Sequence, residues 1–178
     1  MGMGIGKEGQ PLTPRFDADR IAGRVKELAR FLDGAFPDAP PVLVAVLKGS
    51  SFLLADVARA MTVPLSCEYI AVSRQADAEI LQIDFATAFP IESRPVVLLK
   101  DVVHTGVVET YLMTQLAAAG ASAIRLVAIV DKAPERTTEL AVDFSLFTAD
   151  KGRVVGYGME HAGRYAHLPY IAEVHASA

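Results

Sequence analysis

The sequence predicts an α/β domain: a parallel, doubly wound sheet flanked by helices, with a small C-terminal hood. Three observations predict it. Unbroken apolar runs at 42–47, 96–99 and 124–130 have the length and character of strands buried on both faces. Segments with helical periodicity separate them, as crossover connections between parallel strands require. After Pro134 the alternation stops, and short strand-like segments follow at 140–147, 154–157 and 170–174 without long helices between them.

Residues 1–14 are expected to form a flexible tail and 15–178 a single domain, its hood built mainly from 134–178. The glycine-rich start, Met1-Gly2-Met3-Gly4-Ile5-Gly6-Lys7, has no strand before it, and Pro11 and Pro14 follow it, so it does not qualify as a phosphate loop. It also lacks the charged-then-apolar order of a secretion signal. From Asp17 the pattern is helical, with Ile21, Val25, Leu28 and Leu32 on one face and Arg20, Arg24, Lys26 and Glu27 largely on the other. Gly34 and Pro37 end it. The strand at 42–47 is broken by Lys48-Gly49-Ser50-Ser51, and a helix over 52–61 follows with Ser50 or Ser51 as its N-cap. A strand over 64–72, a mixed, loop-rich stretch over 73–93 and the strand at 96–99 come next. A helix over 108–119 closes at Gly120 and leads into the strand at 124–130.

A chain of 178 residues, 52% of them hydrophobic, buries roughly 70% of its unfolded surface in one core. The net charge of −4 argues against a general nucleic-acid-binding surface, so the expected ligand is small. The one cysteine, Cys67, excludes an internal disulfide and a cysteine-based zinc site, and is expected to be a small core residue. No apolar run approaches the roughly 18 residues that span a bilayer. A soluble cytoplasmic protein without a membrane partner is expected.

Ligands of such sheets sit beyond the carboxyl ends of the strands. Those ends carry Lys48-Gly49, the stretch Asp101 to Gly106, and Asp131-Lys132, so three loops converge on one crevice. Residues 96–106 have the form of a phosphate-binding strand and loop: an apolar strand, a polar turn ending in Thr105-Gly106, then a helix whose N-terminal N–H groups and dipole favour an anion. Lys100 and His104 are unusual charges for such a loop. A dinucleotide-binding dehydrogenase does not fit, because no strand is followed by the glycine fingerprint.

Over 17–174 these residues resemble the type I phosphoribosyltransferases, and among them the bacterial hypoxanthine (hypoxanthine-guanine) enzymes. Val46-Leu47-Lys48-Gly49-Ser50-Ser51-Phe52 is similar to the family's first, pyrophosphate-holding loop. Asp131-Lys132 with Pro134 and Arg136 is similar to the segment that supplies a lysine to the purine's exocyclic oxygen and an arginine to pyrophosphate. Val154-Val155-Gly156-Tyr157-Gly158, Arg164-Tyr165 and His167-Leu168-Pro169-Tyr170-Ile171 resemble its C-terminal hood. The resemblance implies that a 6-oxopurine displaces magnesium-bound pyrophosphate from phosphoribosyl pyrophosphate, giving a nucleoside monophosphate, and it implies a homodimer or homotetramer. It assigns the 5′-phosphate to the backbone of Thr105, Gly106, Val107 and Val108, pyrophosphate to Lys48, Gly49 and Arg136, and a ribose hydroxyl to Asp101. It assigns the base to Lys132 and to stacking on Phe144, and places Lys100 beside the ribose.

The same resemblance marks departures. Lys100-Asp101 stands where the family has two acids, His104 where it has a proton-handling aspartate, and Val108 where it has a threonine. Lys151 is aligned with a metal-binding aspartate, leaving Asp150 as the neighbouring candidate ligand, and Ser73-Arg74 replaces the Ser-Tyr pair of a mobile loop. Two lysines and a neutral histidine for three acids shift the pocket by roughly five units, and a unit pair at about 4 Å is worth about 4 kcal/mol at an effective dielectric near 20. Mg2+ is therefore expected to be bound weakly or replaced by fixed cations. His104 is a candidate general acid or base, or else a loop residue that caps backbone groups; His161, His167 and His175 are expected to be structural. Two functional classes remain open: an active purine-salvage enzyme, or a catalytically impaired protein of the same fold that senses a nucleotide or phosphoribosyl pyrophosphate.

Overall fold

In chain order the elements are β1 (Gly4–Ile5), β2 (Pro11–Phe16), α1 (Ala18–Ala35), β3 (Val42–Leu47), α2 (Ser51–Ala60), β4 (Ser66–Arg74), β5 (Leu81–Phe85), β6 (Pro95–Val103), α3 (Val107–Ala118), β7 (Ala123–Asp131), a 3₁₀ turn (Ala133–Glu135), β8 (Phe144–Thr148), β9 (Arg153–Val155) and β10 (Ile171–Val174). They come from a computed structural model that describes residues 4–5, 11–74, 81–85, 90–150 and 152–175.

The main sheet has the order β5-β4-β3-β6-β7-β8, with β4, β3, β6, β7 and β8 parallel and β5 antiparallel at one edge. The chain leaves β3 for β4 in one direction and β6 for β7 and β8 in the other. Their carboxyl ends therefore diverge at the point where strand order reverses, which opens a crevice there. Apolar clusters pack both faces, one under α1 and α2 through Leu28, Leu32, Leu53 and Leu54, the other under α3 through Leu112 and Leu116. Asp17 caps α1 by accepting from the Arg20 N–H at 2.8 Å. Ser50 precedes α2 without capping it; its buried hydroxyl donates instead to the Val46 carbonyl at 2.8 Å and ties the loop to β3.

Four expectations change. Residues 11–14 belong to β2, which pairs with β10 and packs Leu12 against Val155, Tyr165 and Ala172. Pro11 and Pro14 look like breakers, yet this strand needs only alternate N–H groups, and a register shift at Ile171/Ala172 accommodates Pro14 opposite Ala172. β8 is the fifth parallel strand of the main sheet rather than part of the hood, because Leu146 and Phe147 complete the core beneath α1. The hood is the antiparallel sheet β1-β2-β10-β9, drawn from both parts of the chain. The 73–93 stretch contributes the β4–β5 pair, and Cys67 with Tyr69 lies on an exposed face of β4 rather than in the core. Lys151 lies outside the described residues.

Candidate active site

At the switch point lies a cavity of about 720 Å³, a size ordinary for a small-molecule site. Its floor is the ends of β3 and β6, its far wall the end of β7 with the 3₁₀ turn, and its roof the hood residues Gly152, Arg153, Val154, Met159 and Glu160.

The first loop starts at the cis Leu47–Lys48 peptide and turns into α2, with the Lys48 carbonyl accepting from the Ser51 hydroxyl at 2.7 Å and its N–H at 3.1 Å. Gly49 faces β6 so closely that an added Cβ would lie 2.7 Å from the Asp101 Cβ, so no side chain fits between loop and carboxylate. Pairing with β7 carries β6 through Lys100 and Asp101 to Val103, so these two residues stand on a strand end. The polar turn begins only at His104.

Lys100 is not a free cation. Its Nζ donates to Asp101 Oδ1 and lies 4.0 Å from Oε1 of Glu109 in the first turn of α3. Glu109 is 4% exposed, and the Lys100 side chain 17%. A buried carboxylate needs such a partner, and Glu109 is the acid that balances Lys100. Sequence reasoning missed it, although Glu109, Leu112 and Leu116 share the buried face of α3. A carboxylate on an apolar stripe is the signal that could have found it.

Gly106 adopts φ +84° at the head of α3, a conformation costly for any residue with a Cβ. A side chain there would also press on Arg136, whose Cδ lies 2.9 Å from the Cβ position. The Thr105 carbonyl accepts from the Thr137 N–H at 3.0 Å and from the Thr138 hydroxyl at 3.1 Å, which fixes the turn from behind. The first-turn N–H groups of α3, at Val107 and Val108, have no intrahelical carbonyl before them, and that of Val107 meets the Thr105 hydroxyl oxygen at 3.5 Å. Thr105 and Val108 line a neighbouring recess of about 330 Å³ that also touches Lys100, His104 and Glu109.

Lys132 is 4% exposed at the end of β7, its Nζ donating to the Gly152 carbonyl at 2.5 Å and lying 3.5 Å from Glu135 Oε1. His104 Nδ1 is 3.0 Å from Glu135 Oε2. The bond from His104 holds the Glu135 carboxyl below the usual carboxylate range, with Lys132 reinforcing it against partial desolvation. A carboxylate offers no proton, so Nδ1 carries it.

The predicted residues sort plainly. Lys48, Gly49, Lys100, Asp101, His104 and Lys132 meet in the cleft. Arg136 stands behind the loop, paired with Asp131 and with its buried Nη1 lacking a hydrogen-bond partner. Phe144 does not reach the cleft: it packs on α1 between the Phe31 ring at 5.5 Å and the Arg24 guanidinium at 4.8 Å. Asp150 is exposed and is likewise not among the lining residues. Glu135, Arg153, Met159 and Glu160 line it without having been singled out: the 3₁₀ turn after β7 carries Glu135 there, and the hood's return over the sheet brings the other three. Among the lining residues the charges of Lys48, Lys100, Lys132 and Arg153 face those of Asp101, Glu135 and Glu160.

Comparison with known proteins agrees with this architecture. The chain is 29% identical over 157 residues to the hypoxanthine-guanine phosphoribosyltransferase of Bacillus subtilis, covering 86% of this chain and 87% of that one. It is 28% identical to the bifunctional protein TilS/HprT of Listeria monocytogenes, of which it spans 24%. A hypoxanthine phosphoribosyltransferase mutant from Trypanosoma cruzi, solved as a ternary complex with substrates, superposes with a TM-score of 0.86 at 25% identity, over 91% of this chain and 94% of that one. The family profile described as "Phosphoribosyl transferase domain" matches residues 16–162, and the chain belongs to that family.

Proposed function

We propose that the protein is a purine-salvage enzyme that transfers the phosphoribosyl group of phosphoribosyl pyrophosphate to hypoxanthine or guanine, forming the nucleoside monophosphate and pyrophosphate. The observation that carries this is Lys132, a nearly buried ammonium in a cleft that shares Lys100, Val102 and His104 with the recess at its other end, lined by Thr105 and Val108 at the start of α3. One end suits an oxygen acceptor on a base, the other a phosphate.

The N–H groups at Gly106, Val107 and Val108 hold the 5′-phosphate, where the helix dipole adds to the hydrogen bonds. Lys48 and the Gly49 backbone face the leaving pyrophosphate. Asp101 accepts from a ribose hydroxyl. Lys132 donates to the 6-oxo group, and a base with an amino group there sets donor against donor at that buried cation, which is the stronger kind of discrimination. His104 stands at the base edge as general acid or base. Arg136, tied to Asp131, supports the phosphate loop from behind.

No three His, Cys, Asp or Glu side chains converge as a metal cage among the described residues. Magnesium is usually held by one or two carboxylates together with substrate phosphates and water. The single carboxylates Glu160 and Asp101 fit an ion delivered with pyrophosphate, and its contribution when bound is to neutralise the leaving group.

A second reading, nucleotide sensing without turnover, is favoured by one observation: Lys100 already occupies Asp101. Incubation with phosphoribosyl pyrophosphate, magnesium and each of hypoxanthine, guanine, xanthine and adenine separates the two. Nucleotide from hypoxanthine or guanine is expected; no product with any base, alongside micromolar binding of inosine monophosphate, establishes the sensor instead. Assembly into a homodimer or homotetramer is part of the proposal, tested by light scattering.

A further inference from the structure

Glu135 belongs to no motif that assigned the site, yet it touches both groups that face the base. Its Oε2 is 3.0 Å from His104 Nδ1 and its Oε1 3.5 Å from Lys132 Nζ. The 3₁₀ turn that carries it is closed by the Glu135 N–H bond to the Lys132 carbonyl at 2.9 Å and the Arg136 N–H bond to Ala133 at 3.0 Å. The carboxylate is thus held by backbone between two side chains that arrive from β6 and β7.

We propose that Glu135 is a positioning residue that fixes His104 with Nδ1 protonated and Nε2 free, so that the imidazole accepts the proton released by the purine. The inference rests on the transferase reading. The 6-oxo group and N7 are neighbours on one edge of a 6-oxopurine. One carboxylate spanning Lys132 and His104 therefore spaces a donor for the oxygen and an acceptor for a proton on that edge. In the reaction the N9 electron pair forms the bond to C1 of the ribose. The C1–O bond to pyrophosphate breaks, and pyrophosphate leaves with that electron pair. The ring proton passes to His104 Nε2, and the resulting imidazolium is stabilised by Glu135 across Nδ1. The same arrangement of carboxylate, imidazole and reacting proton governs the serine-protease triad, where the carboxylate sets tautomer and orientation.

Other charges face His104 as well. Lys100 and Asp101 lie on its own strand, Lys48 on the first loop, Lys132 on β7, Glu109 across the neighbouring recess, and Arg153 and Glu160 on the hood. Of these described neighbours, Glu135 is the one that bonds to the imidazole.

The test compares wild type, Glu135→Gln and Glu135→Asp with hypoxanthine and phosphoribosyl pyrophosphate. The glutamine variant is expected to lose about 10- to 100-fold in kcat with both KM values changed by less than about threefold. The aspartate variant should recover part of the loss. An unchanged kcat, or a loss that the aspartate variant does not partly recover, overturns the proposal. If wild type shows no turnover, the transferase reading has failed rather than this one. Nitrogen-15 shifts of the His104 ring then decide: an Nδ1–H tautomer in wild type that is lost in Glu135→Gln supports the dyad, and identical spectra refute it.

Discussion

Replacing Glu109 by glutamine probes how the site tolerates a lysine at the ribose end. The Glu109 carboxylate lies 4.0 Å from Lys100 Nζ, and both are shielded by β6 and α3. At an effective dielectric of 20 the pair's gross attraction is about 4 kcal/mol. Two features reduce the net loss: Lys100 keeps Asp101 as a partner, and part of its side chain meets solvent. Breaking one contact of a buried pair then leaves a cost of about 1–3 kcal/mol, below the full range for an orphaned charge. For a domain of this size that is a fall in Tm of about 2–12 °C. Urea unfolding followed by circular dichroism measures it, with the midpoint lowered and the slope unchanged. The double variant Lys100→Met, Glu109→Leu removes both charges and should recover most of the loss. A Glu109→Gln midpoint equal to wild type refutes the claim that Glu109 neutralises Lys100.

Three further outcomes are expected. His104→Ala should lower kcat by about 10² or more with little change in Tm, measured by steady-state kinetics and thermal unfolding. Gly106→Ala must hold a Cβ at φ +84° against Arg136, costing about 1–2 kcal/mol from the backbone alone and raising KM for phosphoribosyl pyrophosphate. Tyr157 donates to Asp56 Oδ2 at 2.6 Å, and burial, then that bond, pushes its hydroxyl far above the ordinary value near 10. The folded phenol therefore stays protonated where the unfolded one ionises, so its contribution is intact below about pH 10 and falls by up to about 1.4 kcal/mol per unit above it. Tyr157→Phe should flatten that alkaline decline in a series of urea titrations.

The main sheet was legible because buried parallel strands are continuous apolar runs and helices between them show a period. Lys48, Asp101 and Lys132 were legible for the same reason, since each stands within two residues of the end of such a run. The hood's C-terminal strands were legible at 154–157 and 170–174, but its N-terminal strands were not, because strands of two to six residues carry little pattern and pairing of β2 with β10 depends on partners far apart in the chain. Phe144 illustrates the difficulty: an aromatic residue near the site in sequence serves the α1 face once β8 joins the sheet. Glu135 escaped because a single acid in a short turn has no local signature, and the one sign of Glu109 is its place on the apolar stripe of α3; each acquires meaning from the cation or imidazole opposite.

The β2–β10 pairing has a consequence for when the cleft comes into being. Thr13 and His175 meet at 2.8 Å, 162 positions apart, and the His175 N–H reaches the Pro11 carbonyl at 3.3 Å. Loop closure over such a span comes late, because its entropy must be met before the contact gives anything back. The parallel sheet with Lys48, Asp101 and His104 needs no part of that clasp. Arg153, Met159 and Glu160 do, since β9 is held through β10. The floor of the site, Lys132 and His104 included, thus precedes its roof during folding, and a chain deprived of β2 is expected to keep the floor while losing the roof.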